Sequence, residues 1–292
     1  MAQNYATKYA SKVDEAFTLG SLTDAAVNQE FDWEGVSTVV VYGGETSKLN
    51  DYKMEGTNRY GEPEELGDTK QEMALSQDKS FTFTIDRKNY DDTMMTKEAG
   101  KCLRRELDQV IIPEVDMYRF KVWGSKAEKK DYAASITKTN AYEKFLDLNG
   151  ALDDAKVPAV GRIAFCKPSF YNLLKQDPAF TKNSDLGQEM LIKGQLGDVD
   201  GVAIVKAPSS YFPIDSKEQG AELIIVHPLA TTAPKKLLDY KIHDNPPGIN
   251  GWLVEGRIRH DAFILNKKKG AVAVLFKGAA PEETAPEETT EG

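Results

Sequence analysis

The sequence has few of the residues on which disulfide-stapled proteins and many metalloproteins depend. Its 292 residues include only two cysteines and three histidines, which excludes a disulfide-dense scaffold and a cysteine-rich zinc module. No apolar run approaches the roughly 18–20 residues that a membrane-spanning helix needs. The first twenty residues contain no apolar segment of the kind found in secretory signals. We therefore expect a soluble globular protein that does not contact a membrane.

Basic charge is also scarce, because 46 acidic side chains face 37 basic ones and leave a net charge of −9. A protein that grips nucleic acid over its whole surface needs the opposite balance in order to neutralise phosphates. Residues 281–292 alone contain five glutamates, two prolines and no basic residue. Such a segment buries too little apolar surface to offset its ordering entropy. We predict a disordered acidic tail over residues 279–292.

Groups that could perform catalysis are scattered along the chain. His227, His243 and His260 are far apart, and no cysteine or carboxylate cluster gives them the spacing of metal ligands. Two of these histidines precede an aspartate, but adjacent residues on a strand point to opposite faces and form no dyad by proximity alone. Cys102 and Cys166 are interpreted as small core residues. The sequence therefore predicts no catalytic residue, no metal site and no cofactor.

The most unusual feature of the sequence is a long polar segment between two strands. Residues 36–42 are β-branched and aromatic, and residues 79–85 alternate apolar and polar side chains, so both are predicted strands. Residues 43–80 are too long and too polar for an ordinary loop of a compact domain. We predict a long hairpin with these two strands at its base. At ~3.3 Å per residue it reaches roughly 60 Å, whereas a compact chain of this length has a radius of gyration of ~19 Å.

A long helix is predicted to follow this hairpin. Residues 91–93 can cap its start, and apolar residues recur at spacings of three and four through residues 95–111. Pro113 is expected to kink or stop this helix, and helical spacing continues for ten residues beyond it. A second helix is predicted over residues 141–156, with Asn149-Gly150 as a candidate break.

From residue 158 onward the pattern is mixed α/β. A helix is predicted to open at Pro168, since proline is favoured in the first helical turn. The turn at residues 245–248 separates two strands. The predicted strands are 162–166, 202–205, 222–227, 236–242, 251–258, 262–265 and 271–276.

The order of these parts resembles that of the HK97-type major capsid proteins of tailed bacteriophages. The resemblance is carried jointly by segments between roughly residues 25 and 275, and no single segment is as specific as a nucleotide-binding motif. The matching segments are residues 31–42, 79–86, 105–120, 194–202 and 256–265.

This resemblance implies an α+β fold with an N-terminal arm, an extended β-hairpin loop, a long spine helix, a peripheral domain and an axial α/β domain. In the family, the extended loop lies across the neighbouring subunit, the axial domain surrounds five- and six-fold axes, and the peripheral domain meets others at three-fold axes. The implied division is 1–35 for the arm, 36–86 for the hairpin and its flanking strands, 87–157 for the peripheral domain (completed by about 236–278), 158–235 for the axial domain and 279–292 for the tail.

The resemblance also implies a function, that of a structural, non-catalytic head protein that self-assembles into an icosahedral shell around double-stranded DNA. Its partners would be other copies of itself in hexamers and pentamers, with scaffolding, portal and decoration proteins as further candidates. Its location would be the virion, after assembly in the bacterial host cytoplasm. The candidate residues for inter-subunit contact are Lys48, Lys53, Arg59, Lys70, Phe31 and Trp33.

Two alternatives remain at this point. An encapsulin-like nanocompartment would use the same fold to enclose an enzyme cargo in place of DNA. A soluble α/β enzyme would use the long loop as an active-site lid. The enzyme requires an acid, a base or a nucleophile gathered at one cleft, and the sequence shows no such cluster.

Overall fold

The chain mixes helices and strands throughout the part described by the computed structural model, namely residues 20–28, 31, 38–87, 99–177, 197–214 and 219–279. The helices are α1 Ala99–Glu106, α2 Ile112–Lys126, α3 Ala141–Asp154 and α4 Pro168–Gln176. The first strands are β1 Thr38–Gly44, β2 Asp68–Ala74, β3 Gln77–Asp86, β4 Lys129–Ala133, β5 Ile163–Cys166, β6 Asp198–Val199 and β7 Val202–Lys206. The later strands are β8 Ala221–Val226, β9 Thr231–Thr232, β10 Lys235–Asp244, β11 Gly251–His260, β12 Phe263–Ile264 and β13 Val272–Lys277.

The core is built on a six-stranded mixed sheet with the order β4-β13-β8-β5-β7-β6. Its central strand β8 is apolar on both faces because both faces are covered. Leu223 and Ile225 point into a cluster with α3 and α4. Ile224 and Val226 point into a cluster with α2 on the opposite side. Because helices cover both faces of the sheet, the residues of β8 form a nearly continuous apolar run in the sequence.

The cluster on the α2 side is dominated by aromatic rings. Phe120, which is fully buried, lies 5.1 Å from Phe165 and 5.7 Å from Trp123 between ring centroids, both edge-to-face. Such contacts add to the free energy gained from apolar burial. They fix the C-terminal half of the long helix against the sheet.

The long helix is continuous from Ala99 to Lys126, with a π-turn at Leu107–Ile111 between α1 and α2. The N–H of Ile112 bonds to the carbonyl of Leu107, five residues earlier. This widened turn directly precedes Pro113, whose ring lacks an N–H and crowds the carbonyl four residues before it. Pro113 therefore does not stop the helix, which continues through a π-turn that was not predicted. Its predicted start at residues 91–98 lies outside the described residues.

A separate three-stranded antiparallel sheet, with the order β10-β11-β3, lies alongside this helix. The predicted alternation of β3 is confirmed, since Phe81, Phe83 and Ile85 are more buried than the threonines between them. Gly251 starts β11 with a φ of 149°, and a Cβ there would lie 2.0 Å from the carbonyl oxygen of Ile85. Only glycine allows the two strands to approach in this way.

Two sequence predictions are wrong. The strand paired with β1 is β2, and the strand at residues 79–85 pairs with β11. β2 was missed because its residues are polar on both faces and only Met73 is buried. Helix α3 is unbroken at Asn149, whose side chain donates to Asp200 and accepts from Arg162. These tertiary bonds outweigh the local preference for a break.

The division into peripheral and axial domains stays a prediction. The six-stranded sheet takes β4 and β13 from outside residues 158–235. Most of the predicted arm and nearly all of the predicted tail lie outside the described residues.

Candidate assembly surfaces

The long polar segment forms a two-stranded excursion, residues 38–74, that we call the ribbon. Each residue n of β1 pairs with residue 112 − n of β2, from 38 with 74 to 44 with 68. The same rule holds beyond the strands, because Glu45 N–H donates to the Gly67 carbonyl at 3.1 Å and Lys53 N–H donates to the Arg59 carbonyl at 3.0 Å. The apex is therefore at Gly56, whose φ is +94°. These two bonds fit the register of the strands at the root and near the apex, while residues 45–67 themselves form no regular strand.

Side chains also connect the two arms of the ribbon near its apex. Tyr52 and Tyr60 are opposite each other, with ring centroids 5.2 Å apart in an edge-to-face arrangement. The Asn50 side chain donates to the Tyr60 carbonyl at 3.4 Å and crosses over Gly61, where a Cβ would lie 2.3 Å from its amide nitrogen. Gly61 also has a φ of +92°, so the apex needs glycine there on both counts. Eighteen residues separate Thr38 from the apex, which gives an arm of roughly 60 Å when extended.

Beyond its root the ribbon touches little of its own chain. Every residue from 44 to 60 is exposed. The exposed side chains include large apolar ones, with Leu49 at 103%, Tyr60 at 84% and Met54 at 83%. Large exposed apolar groups in a contiguous segment mark an interaction surface.

The root of the ribbon is held by a small apolar cluster of its own. Met73, Leu75 and Leu265 are buried there. Val39 and Val41 of β1 pack against them, and so do Phe31 and Phe263. The ribbon therefore starts from a fixed position on the body.

A polar clamp fixes the direction of the root. The Gln71 side chain donates to the Ile264 carbonyl at 3.0 Å and accepts the Asn266 N–H at 2.8 Å. Lys267 donates from its ammonium group to the Gly44 carbonyl. A side-chain amide that satisfies both a backbone donor and a backbone acceptor acts as an extra rung between ribbon and body.

A buried ion pair on α2 attaches the N-terminal segment to the body. Asp116 accepts hydrogen bonds from the Ser21 hydroxyl and the Leu22 N–H, both at 2.9 Å, and from the Thr23 hydroxyl. Arg119 donates to the Thr23 hydroxyl at 2.8 Å. Both charged groups are almost fully buried, so each depends on these partners to offset its desolvation.

Asp24 extends this network to β10. Its carboxylate accepts from Arg119 at 2.7 Å and from Lys235 at 2.6 Å. Burial works to raise the pKa of Asp24, but the hydrogen bonds and charges of Lys235 and Arg119 outweigh it and bring the pKa to about 2. The ionised form of Asp24 therefore stabilises the folded chain.

The six candidate contact residues fall into three groups. Phe31 is half-buried in the root cluster of its own chain. Trp33 lies outside the described residues. The other four are exposed on the ribbon, namely Lys48, Lys53, Arg59 and Lys70. Their contact with another subunit stays a prediction.

His260 is buried where the long helix meets the three-stranded sheet. It is 1% exposed, and within the described residues neither ring nitrogen has a hydrogen-bond partner. Its ring meets Tyr118 of α2 edge-to-face at 5.2 Å. Burial and the positive charge of Lys79 lower the pKa of His260, although Glu114 and Asp261 act in the opposite direction. No pattern in the sequence indicated that this histidine is buried.

Other reactive groups are isolated. Cys166 lies in the core, and burial raises the pKa of its thiol to about 12, which suppresses the reactive thiolate. Cys102 is half-buried on α1. In the described part of the chain, no group of three histidines, cysteines or carboxylates is arranged to hold a metal ion. No helix among those residues is long and apolar enough to cross a membrane.

The Asp24 network predicts a loss of stability in acid. The folded-state pKa of about 2 lies below the ordinary value of 3.8, so the contribution is complete above pH 4 and disappears as the pH falls towards 2. Because Asp24 is two-fifths exposed, we expect only about 1 kcal/mol after solvent screening. Asp24→Asn should remove this part of the pH dependence in chemical denaturation between pH 4 and 2. Asp154→Asn, at an exposed position, is the control, and equal curves for Asp24→Asn and wild type would contradict the assignment.

His260 predicts a second, milder pH dependence. Its pKa is lowered in the folded state, so the unfolded chain binds the proton first and stability falls as the pH drops below about 6.5. His260→Phe keeps a ring beside Tyr118 but cannot titrate. We expect the unfolding free energy of the wild type to decline more steeply than that of His260→Phe between pH 7 and 5. Parallel declines would show that the buried ring does not resist protonation.

Comparisons with known proteins show which solved structures share this architecture. No protein-family model matches the sequence, and no curated protein matches it. Solved structures do match over nearly the whole chain. The capsid structure of cyanophage P-SCSP1u has a TM-score of 0.72 at 13% identity and covers 94% of each chain.

Two further structures agree with the first. The mature capsid of bacteriophage PhiM1 has a TM-score of 0.70 at 10% identity, covering 95% of this chain and 93% of that one. A structure of Mycobacterium phage Che8 has a TM-score of 0.68 at 17% identity, covering 94% and 98%. Identities this low establish the fold alone. The chain thus has the HK97-type α+β fold of tailed-bacteriophage capsids.

Proposed function

We propose that this chain is a major capsid protein that self-assembles into an icosahedral shell enclosing double-stranded DNA. The observation that carries the proposal is the ribbon, whose two arms pair at the root and again near the apex while the body of the chain leaves residues 44–60 exposed. Likeness in fold to phage capsids over more than 90% of the chain supports it. A protruding element of this kind is completed by a neighbour.

Assembly by such a subunit needs only modest contacts. Each ribbon lies on an adjacent copy, and closed symmetry repeats that contact around the shell. The exposed edges of a two-stranded ribbon also offer backbone groups for pairing with another chain. The proposed partners are other copies of the same chain, arranged in hexamers and pentamers.

The other partners follow from the role of a container. The chain carries a net charge of −9, so the enclosed DNA would be confined by the wall without sequence-specific binding. Scaffolding, portal and decoration proteins are further proposed partners. The place of action is the virion, after assembly in the bacterial host cytoplasm, and the role is structural and non-catalytic.

The two alternatives fit less well. An enzyme lid closes over a cleft that holds catalytic groups, whereas the ribbon root packs on apolar residues such as Met73 and Leu265. A nanocompartment shell shares the fold, and what distinguishes it is the cargo. The contents of purified shells, nucleic acid or protein, separate these two functions.

Removing the outer ribbon tests the proposal. Replacing residues 46–66 by an Asn-Gly turn keeps β1, β2 and the Gln71 clamp, and this dipeptide favours the tight turn that two antiparallel strands need. We expect the wild type to form megadalton particles, seen by size-exclusion chromatography and negative-stain electron microscopy. The shortened chain should keep the wild-type circular dichroism and melting temperature but elute as free subunits.

Two results would contradict different parts of the proposal. Intact shells from the shortened chain would contradict the role of the ribbon in assembly. A wild-type protein that never exceeds a small oligomer, at any concentration or ionic strength tried, would contradict the shell function itself.

A further inference from the structure

A groove of about 260 Å³ lies where the ribbon meets the body. We call it the root groove. It combines apolar and basic side chains, which include Phe31, Val41, Leu265, Lys70, Lys267 and Lys268. Among the described residues, no aspartate or glutamate lines it. The chain as a whole has 46 acidic and 37 basic side chains, so a lining of three cations without a carboxylate runs against its general composition.

The positive charges of the root groove are held in place by neutral groups. The Lys267 ammonium donates to the Gly44 carbonyl, and the Lys268 ammonium donates to the Leu229 carbonyl at 3.0 Å. A carbonyl orients an ammonium group without cancelling its charge, and it uses only one of the three donors. Within the described residues, neither these two lysines nor Lys70 forms an ion pair with a carboxylate. The groove therefore offers positioned and uncompensated positive charge.

The chain itself contains an acidic segment that matches this groove. Residues 281–292 include five glutamates, two prolines and no basic residue. Carboxylates form charge-assisted hydrogen bonds with ammonium groups. Proline-containing segments bind in grooves with aromatic walls, and Phe31 provides an aromatic ring here. The segment thus matches both the charge and the apolar lining of the root groove.

The position of the last strand brings this segment within reach of the groove. Lys267 and Lys268 lie in the 3₁₀ helix Asn266–Ala271, which leads directly into β13. β13 has six residues and so spans ~20 Å. Residues 280–292, which lie outside the described residues, can extend up to ~45 Å. That length allows the segment to return along β13 to the groove of its own chain.

The ribbon disfavours a longer polyanion at the same place. Residues 38–74 contain eight acidic and four basic side chains, which leaves a net charge of −4. A nucleic acid carries negative charge along its whole length, so the part of it beyond the groove would meet this acidic ribbon. A short peptide with five carboxylates can place them near the three lysines alone.

We propose that the root groove binds the acidic segment 281–292 of the same chain, with its carboxylates on Lys70, Lys267 and Lys268 and its prolines against Phe31 and Leu265. This inference goes beyond the shell function and does not rest on it. Other anions enter the groove only when they displace the segment.

Peptide binding tests this site. A fluorescent peptide with the sequence of residues 281–292 is titrated, with anisotropy as the readout, against the full chain and against a truncated chain that ends at residue 280. At low salt we expect the truncated chain to bind the peptide with a Kd of about 0.1 mM. The full chain should bind it about tenfold more weakly, because the effective concentration of its own segment is on the order of millimolar. Both chains are compared in the same assembly state, checked by size-exclusion chromatography.

Two lysines of the ribbon provide matched variants of the truncated chain. Lys70→Glu and Lys48→Glu each reverse one exposed charge, but only Lys70 lines the groove. We expect Lys70→Glu to weaken peptide binding about fivefold and Lys48→Glu to change it by less than about twofold. Circular dichroism should match that of the truncated chain in both variants, because both positions are exposed.

The charge of the peptide provides a second control. A peptide in which all five glutamates are replaced by glutamine should not bind. The original peptide should be released at 1 M salt, where charges are screened beyond about 3 Å.

Tighter binding to the truncated chain that depends on Lys70 supports the proposal. Equal binding to the full and truncated chains overturns it, because the segment then does not occupy its own groove. Absence of binding also overturns it, and shows that other acidic residues already neutralise the lysines. Equal loss in Lys70→Glu and Lys48→Glu would show that the groove is not the site. A twelve-nucleotide single strand that displaces the peptide and depends on Lys70 more strongly would assign the groove to nucleic acid instead.

Discussion

The structure depends on a mismatch between a body that buries its own apolar surface and a ribbon that does not. The six-stranded sheet is covered on one face by α3 and α4 and on the other by α2. The ribbon buries apolar side chains only at its root. Free energy from apolar burial is therefore available outside the root only through contact with another molecule. That contact is the physical basis for the proposal that this chain builds a shell.

For such a contact to be specific, the ribbon must leave the body in a defined direction. The Gln71 clamp and the root cluster fix its base. The long helix connects this region to the sheet, and the buried Asp116 and Arg119 attach the N-terminal segment to the same helix. A pre-organised ribbon loses less conformational entropy on docking than a free loop would.

The body could be predicted from the sequence wherever burial is one-sided or complete. The alternation of β3 and the apolar runs of β8 and β13 allowed these strands to be predicted, because each strand packs on the core. β2 could not be predicted, since a strand that is held mainly by pairing with its neighbour shows no regular alternation of apolar residues. The Asp116 network was also missed. A signal was present, because an acid and a base three residues apart stand beside Val115 and Phe120 on an otherwise buried helix face.

The candidate contact residues show the same limit. Lys48, Lys53, Arg59 and Lys70 are all exposed on the ribbon, but exposure alone does not show which of them contacts another subunit. The contact between Tyr52 and Tyr60 becomes visible only in the structure, because the sequence does not show which residues of the two arms lie side by side. Backbone register, which sequence pattern specifies weakly in a polar ribbon, was the missing information.

Hydrogen exchange of the ribbon amides tests the central claim most directly. The account predicts that amides of residues 45–67 exchange rapidly in the free subunit and become protected in assembled particles, while β8 and β13 are protected in both states. Protection of residues 45–67 in the isolated subunit would show that the chain covers its own ribbon. Equal, rapid exchange of those amides in both states would show that no neighbour covers it, and either result would contradict the account.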